Sequence, residues 1–370
     1  MAIRRVTMMT SSHTSDFPWR LSRVVWELTQ KCCFRCAFCG SRAGEARENE
    51  LNTEECLDVA RQLADLGCRR VNLLGGEIFL RDDWAGIVGA LTGLGMKVCV
   101  ITSGFILTAA TVKTLSSLGI ESVAVSLDGP ERVHDACRQR GSYHRALEAI
   151  AALAEAGIPT SVITTLRADN VPLLPEFYES LKACPIFAWQ LQACNSMGYA
   201  RDVGLDTRFD PLRVIRFVSG IAGEAPFRVI IADNVGYHTP EETSIRGRRG
   251  AVFGGCSAGL TTLGVDSAGN VRGCESLYDN VFIEGNLRER TLRDIWEDED
   301  AFAYNRRFTP ERLTGKCGSC ELGEICAGGC RSQNFFAGGR LYENRLCVRE
   351  RGNADRGGAL PGTHEGRRKL

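Results

Sequence analysis

Residues 31–40 read KCCFRCAFCG, placing Cys32, Cys33, Cys36 and Cys39 within eight positions. They do not form the paired CxxC knuckles of a zinc ribbon. Cys32, Cys36 and Cys39 stand in CxxxCxxC spacing directly after an apolar run, LSRVVWELTQ, so one loop has to carry three thiols to one point. A structural zinc takes a closed shell of four ligands, and an electron-transfer cluster is expected to close with a fourth cysteine. Three thiolates can instead hold three irons of a [4Fe–4S] cube and leave the fourth iron open. The spacing alone leaves zinc and cluster both standing.

The rest of the composition narrows this. The chain has 17 cysteines, an odd number, and only five histidines (13, 134, 144, 238, 364), none in a tight pattern with the cysteines. Its N-terminus, MAIRRVTMMTSS, lacks an apolar stretch of signal-peptide type. Clustered cysteines in a reducing, cytoplasmic setting read as metal ligands, and a thiolate-only donor set favours iron–sulfur clusters or all-thiolate zinc. Lysine plus arginine balances aspartate plus glutamate at 45 each, which gives no electrostatic case for nucleic acid or an anionic membrane. No apolar run is long enough to span a bilayer.

Periodicity predicts strands at Arg23–Leu28, Arg70–Leu74, Lys97–Thr102, Ser122–Leu127, Thr160–Thr165 and Ala188–Gln192, with a seventh at Phe227–Ala232. Helical patterns lie between them near 53–66, 83–94, 108–118, 143–156, 172–183 and 210–222. Four of these end in ADLG, TGLG, SSLG and AEAG, where glycine suits a left-handed cap. Repeated strand–helix units of this number suit an α/β fold, a full or partial (β/α) barrel. A charged, glycine-rich stretch at 241–255 marks a boundary. Beyond it come seven more cysteines, a hairpin signal in TLGVDSAGNVRGCE and a helical pattern near 291–303. That segment has little apolar core of its own and is expected to need metal to fold. The predicted organisation is an extension at 1–20, a barrel at 21–240, a cysteine-rich domain at 241–350 and a disordered tail at 351–370.

The order of these motifs resembles the radical S-adenosylmethionine enzymes, whose CxxxCxxC loop follows the first strand of a partial TIM-like barrel, here a (β/α)6 unit. The resemblance covers residues from about 20 to 235. It implies that Cys32, Cys36 and Cys39 hold a [4Fe–4S] cluster whose open iron binds S-adenosylmethionine, with Cys33 a bystander. Gly75, Gly76 and Glu77 in LLGGEIFL match the family's GGEP loop, with Ile78 in place of the usual proline. Glycines there let the backbone approach a ligand, and Glu77 would accept from the methionine ammonium. Phe38 matches an aromatic position near the adenine. Ser103 in ITSGF, and Ser126 and Asp128 at the fourth strand's end, match cofactor-facing positions. His134, Asp135 and Arg138 read as ordering the loop that follows. Arg167 has two readings, a partner for the cofactor carboxylate or a solvated surface residue.

The C-terminal cysteines look like the SPASM extension of that family. Cys256 is followed by Gly269 and Cys274, then Cys317, Cys320, Cys326 and Cys330, and finally Cys347. The family pattern gives two auxiliary clusters, expected to be [4Fe–4S]. Cys317, Cys320, Cys326 and Cys347 would hold the outer one, and Cys256, Cys274 and Cys330 the inner one, for which no fourth cysteine is evident. Of the seven remaining cysteines most read as buried small hydrophobes, while Cys194, where the sixth strand opens to substrate, is a candidate hydrogen-atom donor or ligand.

Such enzymes place one C–H bond beside an adenosyl radical, and the resemblance implies oxidation or cross-linking of a side chain in a ribosomally made peptide. Expected partners are that peptide, a separate leader-binding protein and a flavodoxin- or ferredoxin-type reductant. Alternatives are sugar or aminocyclitol dehydrogenation or epimerisation, sulfatase-maturase-like protein oxidation, or a non-catalytic zinc or iron–sulfur scaffold.

Overall fold

Alternation of apolar strands and amphipathic helices produces a parallel sheet wrapped on one side. The computed structural model describes residues 17–246 and 253–349. Seven strands, β1 (Arg23–Glu27), β2 (Arg70–Leu74), β3 (Lys97–Thr102), β4 (Ser122–Ser126), β5 (Thr160–Leu166), β6 (Ala188–Ala193) and β7 (Arg228–Ile231), run parallel in sequence order. The expected strand set is therefore observed, its ends moved by a residue or two. The sheet stays open, as a partial barrel does, with β7 at one edge.

Helices α1 (Thr53–Asp65), α2 (Trp84–Gly93), α3 (Ala109–Ser117), α4 (Glu131–Cys137), α5 (Ser142–Glu155), α6 (Leu174–Leu181), α7 (Gly198–Asp202) and α8 (Pro211–Ile221) connect them. Helix α1 starts where it does because Asn52 and Glu55 form a reciprocal capping box. Its Cys56, Val59, Ala60 and Leu63 recur at helical spacing and are buried. Burying one such leucine contributes roughly 1.5–3 kcal/mol. Gly67, Gly95, Gly119 and Gly157, the four glycines of the ADLG-type endings, all take positive φ, as predicted.

The C-terminal half extends this sheet. Strand β8 (Thr262–Val265) pairs in parallel with β1, β9 (Asn270–Arg272) folds back on β8, and β10 (Gly285–Asn286) pairs with β9. The predicted hairpin is thus hydrogen-bonded to the barrel's first strand. After β9 the chain crosses over Gly264, where a Cβ would stand 2.7 Å from the Glu275 Cα. Of the helical pattern near 291–303 only Leu292–Trp296 forms a helix; a second short helix, Ala303–Arg306, starts after Phe302, which takes a left-handed φ of 56°. Residues 1–16 of the expected N-terminal extension, 247–252 of the boundary stretch, residue 350 and the expected tail at 351–370 lie outside the described residues.

Candidate radical and iron–sulfur site

Three strand ends meet at the cysteine loop. Beyond β1, the Cys32 N–H donates to the Gly44 carbonyl (2.8 Å) and the Gly44 N–H to that of Gln30 (2.9 Å), closing residues 30–44 into a loop. Glu50 braces its entry, accepting from the Thr29 hydroxyl (2.8 Å) and the Gln30 N–H (2.6 Å). Backbone N–H groups point at sulfur: Phe34 at Cys32 Sγ and Ala43 at Cys39 Sγ, both 3.4 Å. Such donors favour the thiolate that a metal requires. Burial pushes the Cys36 thiol up to about 11 against the opposing pull of Arg138, and Cys39 and Cys32 add to the rise. Cys33 lies against Cys32; sharing a proton holds Cys33 down and raises Cys32.

The GGE loop packs on the same segment. The Glu77 N–H donates to the Lys31 carbonyl (2.7 Å), and a Cβ at Gly76 would overlap that carbonyl. A Cβ at Gly75 would stand 2.8 Å from the Thr29 oxygen. These glycines are therefore required by strand-end packing as well as by any ligand. The Glu77 carboxylate is fully buried and accepts from the Thr102 hydroxyl (2.9 Å), the Ser103 N–H (3.0 Å) and the Ser103 hydroxyl (2.7 Å). Desolvation raises its pKa although these donors oppose it. The ITSGF motif thus orients Glu77 beside Cys32.

Asp128 sits at the next junction, fully buried. Its carboxylate accepts from Arg138 Nε (2.5 Å) and the Thr165 N–H (2.8 Å), and its own N–H donates to His134 Nδ1 (3.1 Å). Burial opposes ionisation, but Arg138, Arg167 and His134 prevail and hold Asp128 below the usual carboxylate range. Asp128 is a strut between β4, β5 and α4. Ser126, at the end of β4, is half-buried. Arg167 is 1% exposed and pairs with Asp169 (3.0 Å), so the solvated reading is corrected. Two guanidiniums approach the Phe38 ring, Arg138 at 5.2 Å and Arg167 at 4.9 Å from its centroid.

Two contacts were not foreseen. After β6 the Tyr199 N–H donates to the Cys39 carbonyl (2.9 Å), and Gly198 takes φ 53° where a Cβ would overlap Cys39 and Gly40. Arg42 and Asp202 lock the two segments bidentately at 2.6 and 2.8 Å. The glycine in NSMGYA was the only sequence signal. The second contact is polar and buried. Glu27 pairs with Arg47 (2.5 Å) and accepts from the Tyr278 hydroxyl (3.1 Å), while Asp266 pairs with Arg272 (2.9 Å). Cys194 is the residue after β6, and burial pushes its thiol up to about 12 despite Arg167. It therefore keeps its proton. It lines a groove of about 480 Å³ with Asn195, the 204–209 loop, Gln333, Phe336 and Leu346.

In the C-terminal half, the thiols of Cys317, Cys320, Cys326 and Cys347 lie within each other's electrostatic reach. Cys256, Cys274 and Cys330 form a second set. The Asn344 N–H (3.4 Å) faces Cys317 Sγ and Arg349 (3.6 Å) faces Cys320 Sγ. Among the described residues no three or more His, Cys, Asp or Glu side chains are gathered as a single metal ion requires.

Both halves of the chain resemble known proteins. The radical SAM superfamily model matches residues 26–181, and that of SPASM, an iron–sulfur cluster-binding domain, matches residues 256–321. The AdoMet-dependent heme synthase of Methanosarcina barkeri is 29% identical over 339 residues, 88% of this chain and 95% of that protein. The PqqA peptide cyclase of Rhizobium meliloti is 30% identical over 336 residues, 87% and 86% of the two chains. The crystal structure of Streptococcus suis SuiB bound to S-adenosylmethionine shares the fold, with TM-score 0.72 and 20% identity over 89% of this chain and 77% of that one.

Proposed function

The chain belongs to the radical S-adenosylmethionine superfamily with a SPASM domain, and on that premise we propose that it modifies a side chain of a ribosomally made peptide. Its cofactors are S-adenosylmethionine, a [4Fe–4S] cluster and auxiliary iron–sulfur clusters. When bound, the first cluster would relay an electron from an external reductant, and S-adenosylmethionine would supply the hydrogen-abstracting 5′-deoxyadenosyl radical. We assign the ligands of the first cluster to Cys32, Cys36 and Cys39. Two auxiliary clusters fall to the C-terminal sets, the four-thiol set outer and the three-thiol set inner. Gly75, Gly76, Glu77, Ser103, Ser126, Asp128, Arg167 and Phe38 would shape the cofactor pocket, with Glu77 and Ser126 presenting polar groups and Asp128 fixing the wall. Net oxidation of the substrate would send electrons out through the auxiliary sets.

The observation that carries the peptide reading is the groove. Its lining joins Cys194, at the end of β6, with Phe209, Phe336, Leu346 and polar side chains of the C-terminal half and the 204–209 loop. An extended chain can lie in such a channel with one residue reaching the barrel. The protonated Cys194 thiol is a hydrogen-atom donor there. The PqqA cyclase relative acts on a peptide by name, which favours the same substrate class. A leader-binding protein and a low-potential flavodoxin or ferredoxin would complete the system, and free thiols with oxygen-sensitive clusters suit the cytoplasm.

One observation favours a second reading, a tetrapyrrole-sized small molecule: the alignment spans 95% of the heme synthase. Nothing favours the sugar, aminocyclitol or sulfatase-maturase-like alternatives. The experiment is anaerobic turnover with any short peptide encoded beside the gene, against a tetrapyrrole in a parallel reaction. A mass change in the peptide, matched by 5′-deoxyadenosine, is expected; a change in the tetrapyrrole alone sinks the peptide reading.

A further inference from the structure

The inner thiol set has a phenol for a neighbour. Tyr304 packs with Cys256 and Cys274 on one small apolar cluster of Ala258, Leu277 and Phe282. The next residue pins it there, because Asn305 Nδ2 donates to the carbonyls of Cys256 (3.3 Å) and Ala258 (2.7 Å). The ring stands edge-on to Phe282 at 5.6 Å, and the Tyr342 hydroxyl holds the Tyr304 carbonyl at 3.1 Å. Gly273, the residue before Cys274, makes room for the hydroxyl: a Cβ there would overlap it. Yet the Tyr304 hydroxyl is buried and its proton has no acceptor: the nearby Gly273 backbone N–H is itself a donor, and Glu284, which also faces the hydroxyl, does not bond it. A buried hydroxyl left without an acceptor costs about 1–3 kcal/mol. So specific a placement of an unused donor beside two thiols calls for an acceptor on the sulfur side.

We propose that Tyr304 donates its phenolic hydrogen bond to sulfur of the inner iron–sulfur cluster and thereby sets that cluster's reduction potential. Hydrogen bonds to sulfur stabilise the more negatively charged, reduced state and are a principal lever on such potentials. Tyr304 is a positioning and tuning residue; it does not touch the organic substrate. The proposal rests on the assignment of Cys256, Cys274 and Cys330 as ligands.

The test is a redox titration of the anaerobically reconstituted holoenzyme, followed by electron paramagnetic resonance. Tyr304→Phe should keep about twelve irons, the content of three cubanes. Its inner-cluster reduction equilibrium should fall by several-fold to about tenfold, the worth of one hydrogen bond, while the other two clusters stay unmoved. An unmoved inner potential with iron retained overturns the proposal. Should Tyr304→Phe lose the inner cluster, Gly273→Ala, which displaces the hydroxyl from the other side, must reproduce the shift. Loss of the inner cluster from both also overturns it, since a donor that only tunes a cluster is not needed to hold it. None of these readouts uses the organic substrate, so a wrong substrate class leaves the result interpretable.

Discussion

The Glu77 N–H hydrogen-bonds the carbonyl of Lys31 at 2.7 Å, tying the glycine loop after β2 to the backbone that leads into the cysteine loop. A side chain at Gly76 would drive that carbonyl away. Gly76→Ala should therefore destabilise the chain by about 3 kcal/mol and lower its iron content. Chemical denaturation and iron analysis check this; wild-type stability and iron would refute the packing role.

Arg138 and Asp128 form a buried pair at 2.5 Å. Removing one partner of such a pair leaves an uncompensated charge and costs about 3–5 kcal/mol. Arg138→Leu should lose that much, whereas the double change Arg138→Leu with Asp128→Asn should recover a good part of it. Denaturant midpoints of the single and double variants measure the difference.

His134 is fully buried, and desolvation drops it from 6.5 to about 4 although Asp128 pulls the other way. Its folded pKa lies below the unfolded one, so between those values the unfolded chain binds the extra proton. Stability is present above 6.5 and is lost as pH falls towards about 4, by at most about 3 kcal/mol. His134→Gln should flatten that acid limb in denaturation curves taken at several pH values.

Ala337 lines the groove beside Phe336. Ala337→Trp should fill it, so turnover of an added peptide falls at least tenfold while 5′-deoxyadenosine formed without substrate stays near wild type. Liquid chromatography of both products distinguishes this from general damage, which lowers the two together.

Much of this was readable beforehand, and the unread parts share a cause. The strands announced themselves as short β-branched runs whose alternate residues are buried, since the helices wrap one face of the sheet. Spacing along one loop groups Cys32, Cys36 and Cys39, whereas the grouping expected of the C-terminal cysteines came from the family resemblance, since Cys256, Cys274 and Cys330 are far apart in the chain. Helix Arg331–Gly338 was not foreseen, since it buries Arg331, Ser332, Gln333 and Asn334 where a helix ordinarily hides apolar residues. Those groups serve loop carbonyls: Arg331 and Asn334 both donate to Leu341, at 3.1 and 3.0 Å. Glu27 likewise reads as an ordinary strand-end residue until Tyr278, 251 positions away, is folded against it. Partners that distant leave no local pattern. Arg167 was ambiguous for the same reason, its burial depending on Asp128 and Phe38 from other strand ends.

The central claim is that Cys32, Cys36 and Cys39, without Cys33, hold the cluster that cleaves S-adenosylmethionine. Anaerobic reconstitution followed by iron counting and a 5′-deoxyadenosine assay under reduction tests it directly. The wild type and Cys33→Ala should each bind about twelve irons and release 5′-deoxyadenosine, whereas Cys36→Ala should lose about four irons and all cleavage. Cleavage surviving in Cys36→Ala, or abolished in Cys33→Ala, would contradict the account.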